Sequence, residues 1–123
     1  ADPRVHLLGF VSALRSLYKA SALLVLPSHR EGFGNVLLEA AAMALPVIAS
    51  DIDGCRDAVA HGITGTLVPL GDVEALVAAA DSYLCDPARA VAHGEAGRRR
   101  ALAEFDPERV WRGIAMVYER GLN

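Results

Sequence analysis

The chain has 123 residues, of which 53% are apolar and 22% are charged, so it forms one soluble domain or part of one. Its formal net charge of −3 excludes the broad basic surface that nucleic-acid binding requires. No apolar run reaches the ~18 residues of a membrane span, and the first residues lack the pattern of an export signal. Cys55 and Cys85 show no metal-ligand spacing, so we expect free thiols in the cytoplasm.

Four short apolar runs of strand length alternate with helical segments along the chain. They are residues 5–8, 23–26, 47–49 and 66–68. Such alternation, with nearly continuous apolar strands, is typical of a parallel sheet that is covered on both sides. The sequence therefore predicts an α/β domain with a Rossmann-like parallel sheet of about four strands and helices on both faces.

Capping residues indicate where the helices begin. Ser12 and Asp72 can each accept a hydrogen bond from the first turn of a following helix. Asp86 and Asp106 each stand directly before a proline, the residue favoured at the first helical position. We expect a helix to begin at each of these four positions and another to begin near Asn35.

The loop after the second predicted strand is the first candidate for a binding site. Ligands of open α/β sheets bind beyond the carboxyl ends of the strands, where this loop must lie. Gly32 and Gly34 allow the backbone to approach a ligand closely, just before the helix that begins near Asn35. Free N–H groups at a helix N-terminus favour an anion such as a diphosphate, although a plain tight turn explains a lone Gly-x-Gly equally well.

Glu39 is the one charged residue in an otherwise apolar helical run, residues 36–45. A helix that is apolar all round is normally buried, and burying an unpaired carboxylate is costly. We therefore predict that Glu39 faces a polar cleft at the carboxyl ends of the strands or has dedicated donors. The alternative is a helix edge at which the carboxylate reaches water. Glu31, on the preceding loop, would hold a different part of the same ligand.

The run from Glu31 to Asn35, Glu-Gly-Phe-Gly-Asn, followed by Glu39, resembles the E-x7-E motif of family 4 retaining glycosyltransferases, which have the GT-B fold. The segments at 8–11, 26–28, 45–50, 53–55 and 64–69 resemble the same family. The resemblance is strong over residues 5–72. One departure is Ala44, which stands where the family usually has Gly before Leu-Pro, and it leaves the geometry of that turn open.

The resemblance implies a role for each residue of the motif. Glu31 would contact hydroxyls of the donor sugar and help to stabilise the transition state, which makes it the candidate catalytic residue. Glu39 would bind the ribose hydroxyls of the nucleotide. The sugar and diphosphate would be held by the backbone of Gly32, Phe33, Gly34 and Asn35. The donor would be a nucleotide diphosphate sugar, UDP-linked, and neither a metal ion nor another cofactor is expected.

The family's donor-binding domain has about six strands, and its phosphate-binding Arg and Lys lie upstream of the segment that matches Val5. Lys19, the sole lysine here, lies in a predicted helix. Residues 1–123 are therefore expected to be part of the C-terminal nucleotide-sugar-binding domain and inactive alone. The first βα units and the N-terminal acceptor domain would be absent. A glycan or polyprenyl-linked acceptor, and any contact with the inner face of a membrane, would involve that absent domain.

Other nucleotide-binding classes lack their defining residues in this sequence. No Gly-x-Gly-x-x-Gly follows the first predicted strand, no glycine precedes Lys-Ser or Lys-Thr, and a receiver domain would need a late lysine. The four histidines form no metal set, although His29 lies two residues before Glu31. Two alternatives to a glycosyltransferase stay open: a non-catalytic nucleotide-sugar-binding module and an inactive truncated remnant.

Overall fold

The computed structural model describes residues 2–9, 14–29 and 35–104. In these ranges one parallel sheet has the order β1-β2-β3, with β1 (Leu24–Leu26), β2 (Val47–Ser50) and β3 (Gly65–Val68). The helices are α1 (Leu14–Ala20), α2 (Asn35–Ala42), α3 (Asp53–Ala58), α4 (Val73–Cys85) and α5 (Pro87–Glu104). The predicted α/β class with a parallel sheet is confirmed.

The sheet separates two apolar clusters. Val47 and Ala49 of β2 pack in a cluster with side chains of α1, α2 and α3. Ile48, between them, points to the opposite face and packs with Ala79 and Tyr83 of α4. This alternation follows from the two-residue period of a strand. The prediction of helices on both faces of the sheet is therefore confirmed.

The described sheet has three strands, and the prediction of about four strands was wrong. Residues 5–8 are apolar but belong to no strand, and the side chains of Val5 and Leu7 are 66% and 96% exposed. A strand needs the backbone of a neighbour for its hydrogen bonds. Strand β1, at the edge of the sheet, pairs with β2 and not with residues 5–8. The apolar composition of residues 5–8 therefore predicted one strand too many, because composition does not show whether a neighbouring strand is available for pairing.

The helix starts follow the predicted capping chemistry where they are described. The carboxylate of Asp72 accepts from the N–H of Ala75 at 2.9 Å at the start of α4. At the start of α5, the carboxylate of Asp86 accepts from the N–H of Arg89 at 3.1 Å. Helix α2 begins at the predicted position, near the candidate loop. The predicted caps at positions 12 and 106 lie outside the described residues.

Helix α2 ends in a turn that holds Ala44 in the left-handed region, with φ of 60°. The N–H of Leu45 bonds to the carbonyl of Ala40 at 3.0 Å, and the N–H of Ala44 bonds to the carbonyl of Ala41 at 2.9 Å. This pair of bonds is the Schellman pattern, in which glycine is the usual residue at the left-handed position. The turn therefore keeps the geometry that suits glycine, with the strain of an alanine side chain.

Helix α5 crosses the amino ends of β2 and β3. Gly94 lies against the carbonyl oxygen of Ala44, in the turn before β2, and a Cβ atom at Gly94 would overlap that oxygen. Gly97 lies beside Thr64, directly before β3. The close approach at Gly94 depends on the absence of a side chain, whereas a Cβ atom at Gly97 would make ordinary van der Waals contacts. Helix α5 therefore covers the end of the sheet opposite to the carboxyl ends, where ligands of open α/β sheets bind.

Candidate functional site

The structure describes only some of the predicted site residues. Glu31, Gly32, Phe33 and Gly34 lie outside the described residues, so their predicted roles stay predictions. Asn35 is the exposed first residue of α2. The first four N–H groups of a helix have no partner within it. The backbone N–H of Asn35 therefore has no partner within α2, and its predicted contact with a sugar or diphosphate stays a prediction.

Glu39 lies in the second turn of α2 and is 2% exposed, between the buried residues Leu38 and Ala40. This burial excludes the alternative of a solvent-exposed helix edge. Burial raises the pKa of Glu39, and a hydrogen bond from Tyr18 opposes part of that rise. A buried carboxylate of this kind favours any ligand that offers hydrogen-bond donors to its oxygens.

Tyr18, on α1, is the donor that sequence reasoning missed. Its hydroxyl bonds to Oε2 of Glu39 at 3.1 Å, and the tyrosine is 6% exposed. Burial and the neighbouring carboxylate raise the pKa of Tyr18 well above its usual range, so the hydroxyl keeps its proton and donates. No sequence pattern links positions 18 and 39, because the contact depends on how α1 packs against α2.

A cavity of about 140 Å³ lies at the carboxyl ends of all three strands. Pro27 and His29 line it after β1, Ser50 at the end of β2 and Pro69 after β3, with Leu76 of α4 on its wall. Its volume is below the ~300–1,000 Å³ of ligand pockets, so it holds at most one part of a large ligand. The structure thus places His29 at the expected edge of the sheet, on the side that faces α4.

Two carboxylates after β2, one on the loop and one at the start of α3, pair with one arginine of α3. Nε of Arg56 lies 2.7 Å from Oδ1 of Asp51, and Nη1 lies 2.8 Å from Oδ1 of Asp53. The side chains in these pairs are about half exposed or more, so the pairs contribute little to stability. Across the described ranges, no group of three or more His, Cys, Asp or Glu side chains is arranged to hold a metal ion.

Two further sequence predictions concern the surroundings of the protein. Cys55, which is buried, and Cys85, which is exposed, form no disulfide. Among the residues that the structure describes, no helix has the length and apolar character that a membrane crossing requires. The cytoplasmic location stays a prediction.

Comparison with known proteins gives consistent matches over most of the chain. The family described as Glycosyl transferases group 1 matches residues 1–86. The lipopolysaccharide core biosynthesis mannosyltransferase LpcC of Rhizobium leguminosarum bv. viciae is 42% identical over 115 residues, which are 94% of this chain and 33% of that protein. The capsular polysaccharide biosynthesis glycosyltransferase CapM of Staphylococcus aureus is 35% identical over 117 residues, 95% of this chain and 31% of that protein.

Solved structures agree with the sequence matches. The crystal structure of Anabaena Alr3699/HepE in complex with UDP and glucose superposes with a TM-score of 0.83 at 27% identity, covering 97% of this chain and 33% of that chain. The chain spans about a third of the length of the curated relatives named above. The resemblance to GT-B glycosyltransferases is thereby confirmed. Because the family match covers well over half of the chain, the protein belongs to the Glycosyl transferases group 1 family.

Proposed function

We propose that this chain belongs to the donor-binding domain of a family 4 glycosyltransferase that transfers a sugar from a UDP-sugar, with retention and without a metal ion. The acceptor in this proposal is a glycan or a polyprenyl-linked molecule. The observation that carries the proposal is the carboxylate of Glu39, 2% exposed on the helix that follows the candidate loop. The solved relative with UDP and glucose supports the choice of donor.

The chemistry of Glu39 suits the vicinal hydroxyls of a ribose. A carboxylate accepts hydrogen bonds at two oxygens, and within the described part of the chain the bond from Tyr18 engages Oε2. Two ribose hydroxyls would supply donors in addition to the one that the described residues provide. Hydrogen bonds to charged groups contribute about 1.5–3 kcal/mol each, so the diol offsets part of the cost of burying Glu39.

Glu31 and the start of α2 complete the proposed donor site. The free N–H groups at the N-terminus of α2 and the positive end of its dipole favour the diphosphate. In this proposal Glu31 contacts the sugar and stabilises the transition state. Backbone donors aimed at the leaving diphosphate act most strongly in a site that excludes water, which makes a metal ion unnecessary.

Titration of the 123-residue chain with UDP, UDP-glucose and 2′,3′-dideoxy-UDP, followed by NMR shifts, tests this proposal. We expect Glu39→Gln to reduce the preference for UDP over the dideoxy analogue, because an amide accepts at one oxygen where a carboxylate accepts at two. Glu31→Gln is expected to weaken UDP-glucose and to leave UDP nearly unchanged. Glu95→Gln, an exposed carboxylate on α5, is the matched control and should change neither.

The outcomes separate the possible failures. If the wild-type chain binds UDP and its dideoxy analogue equally, the ribose role of Glu39 is wrong. If Glu39→Gln and Glu31→Gln weaken bare UDP to the same extent, the division between ribose and sugar is wrong. Absence of UDP binding by the wild-type chain contradicts the donor-site proposal itself.

A further inference from the structure

A carboxylate that binds a diol must present its oxygens in one fixed orientation. A glutamate side chain turns about three bonds, so its orientation depends on contacts beyond its own helix. For Glu39 the contact comes from Tyr18, whose hydroxyl lies 3.1 Å from Oε2. Among the described residues no other donor contacts this carboxylate. One oxygen of Glu39 is therefore held by the protein, and Oε1 has no described protein donor.

The packing of Tyr18 fixes where its hydroxyl lies. The ring is buried in the apolar cluster beneath α2, which includes Leu37 and Leu38. The end of α1 is anchored by Ser21, whose N–H donates to the carbonyl of Tyr18 at 3.2 Å and whose hydroxyl donates to the carbonyl of Leu17 at 2.7 Å. Because ring and helix end are both constrained, the hydroxyl is a rigid donor.

We propose that Tyr18 is a positioning residue of the donor site: its hydroxyl holds Oε2 of Glu39 and thereby presents Oε1 to the ribose hydroxyls. This inference rests on the proposed function. Tyr18 itself touches neither nucleotide nor sugar. It acts through the carboxylate, in the way that supporting hydrogen bonds orient binding groups in other sites.

The hydrogen bond also affects the charge of Glu39. Burial raises the pKa of this carboxyl, and the Tyr18 hydroxyl lowers it again, which favours the ionised form that accepts two hydroxyls. The other titratable groups on the helices packed against α2 bond elsewhere or are exposed. Arg56 of α3 pairs with Asp51 and Asp53, Asp57 is exposed on α3, and His93 on α5 bonds to Tyr83.

Tyr18→Phe removes the hydroxyl and keeps the ring. Tyr83→Phe is the matched control, because Tyr83 is also buried but bonds to Thr66 and His93 on the other face of the sheet. For Tyr18→Phe we expect UDP to bind on the order of ten-fold more weakly, 2′,3′-dideoxy-UDP to change little, and the preference for ribose to fall. Tyr83→Phe, compared under conditions where it is folded, should leave that preference unchanged.

The pKa of Glu39 in the free chain, from the pH dependence of its carboxyl carbon shift, is a second readout that needs no ligand. We expect Tyr18→Phe to raise this pKa. As the pH falls, Glu39 would then be protonated earlier, and UDP binding would be lost at a higher pH than in the wild type. If Tyr18→Phe does not fold, the ring-carbon shift of Tyr18 at the hydroxyl position is compared between the wild type and Glu39→Gln. An unchanged shift would overturn the proposal, and a changed shift supports it.

The failure of this inference can be told from the failure of the proposed function. If the wild-type chain does not bind UDP, the proposed function is wrong and the role of Tyr18 falls with it. If the wild type binds UDP and Glu39→Gln weakens it, the function stands. In that case, a Tyr18→Phe variant that retains full ribose preference and an unchanged pKa of Glu39 overturns the positioning role alone.

Discussion

Two buried tyrosines on opposite faces of the sheet make different kinds of hydrogen bond. Tyr83, 2% exposed, bonds to Oγ1 of Thr66 at 3.0 Å and to Nδ1 of His93 at 2.7 Å. Tyr18 bonds to the carboxylate of Glu39. The first set consists of neutral groups that satisfy one another, whereas the second buries an acid with one described donor. A satisfied neutral network serves stability, and a buried acid with one described donor is consistent with the proposed binding role.

The neutral network joins three elements of the fold. Thr66 lies on β3, Tyr83 on α4 and His93 on α5. The rings of Tyr83 and His93 meet edge to face with centroids 5.4 Å apart, and the guanidinium of Arg89 lies 5.7 Å from the centre of the Tyr83 ring. The hydroxyl of Tyr83 therefore bonds to Thr66 on one side and to Nδ1 of His93 on the other. The network thereby attaches α5 to the sheet.

The largest expected effects are changes of opposite sign in the free energy of unfolding, caused by substitutions on the two faces of the sheet. Tyr83→Phe should lower the free energy of unfolding by about 1–3 kcal/mol, because the buried His93 and the partly buried Thr66 lose their partner. Glu39→Gln should raise it by about 1 kcal/mol, because a neutral amide is less costly to bury than a carboxylate with one donor. Urea denaturation at neutral pH measures both. Destabilisation of similar size by both substitutions would remove the distinction between the faces.

The two faces are also expected to respond to acid in opposite directions. Burial, with the charges of Arg89 and His61, lowers the pKa of His93 below its ordinary value of 6.5. The stability that neutral His93 contributes is therefore complete above pH 6.5 and is lost as the pH falls through the ordinary and then the lowered pKa. The pKa of Glu39 is raised above 4.5, so its cost is present above that raised pKa and is relieved as the pH falls toward 4.5.

Urea midpoints between roughly pH 4.5 and 7.5 test this opposition through the linkage between protonation and stability. We expect Glu39→Gln to lose stability more steeply on acidification than the wild type, because protonation of Glu39 no longer removes the cost of burying its charge. His93→Gln should lose stability less steeply. Parallel curves for the three proteins would show that neither group controls the acid response.

The smallest expected effect concerns the turn that joins α2 to β2. Ala44→Gly should raise the free energy of unfolding by about 0.5–1 kcal/mol, because glycine adopts the left-handed conformation without strain. Ala40→Gly, inside α2, is the matched control and should be destabilising, since glycine weakens a helix interior. A stability change of the same sign at both positions would contradict the assignment of the turn.

The burial of Glu39 and the network of Tyr83 differ in how far the sequence predicts them. The isolation of Glu39 in an apolar helical run is a local pattern, and it predicted a buried carboxylate that needs donors. That Tyr18 would be such a donor was not predictable, because positions 18 and 39 meet through the packing of α1 against α2. The same holds for Thr66, Tyr83 and His93, which three separate elements bring together.

The sequence by itself determined the α/β class, the three strands that pair, the starts of α2, α4 and α5, and the family. These features depend on local chemistry: strand-length apolar runs, capping carboxylates and a short motif. Only the tertiary structure decided that residues 5–8 form no strand, that Ala44 is left-handed, and that Tyr18 bonds to Glu39. Each of these depends on a partner or a backbone path supplied elsewhere in the chain, because pairing and burial are properties of the packed molecule.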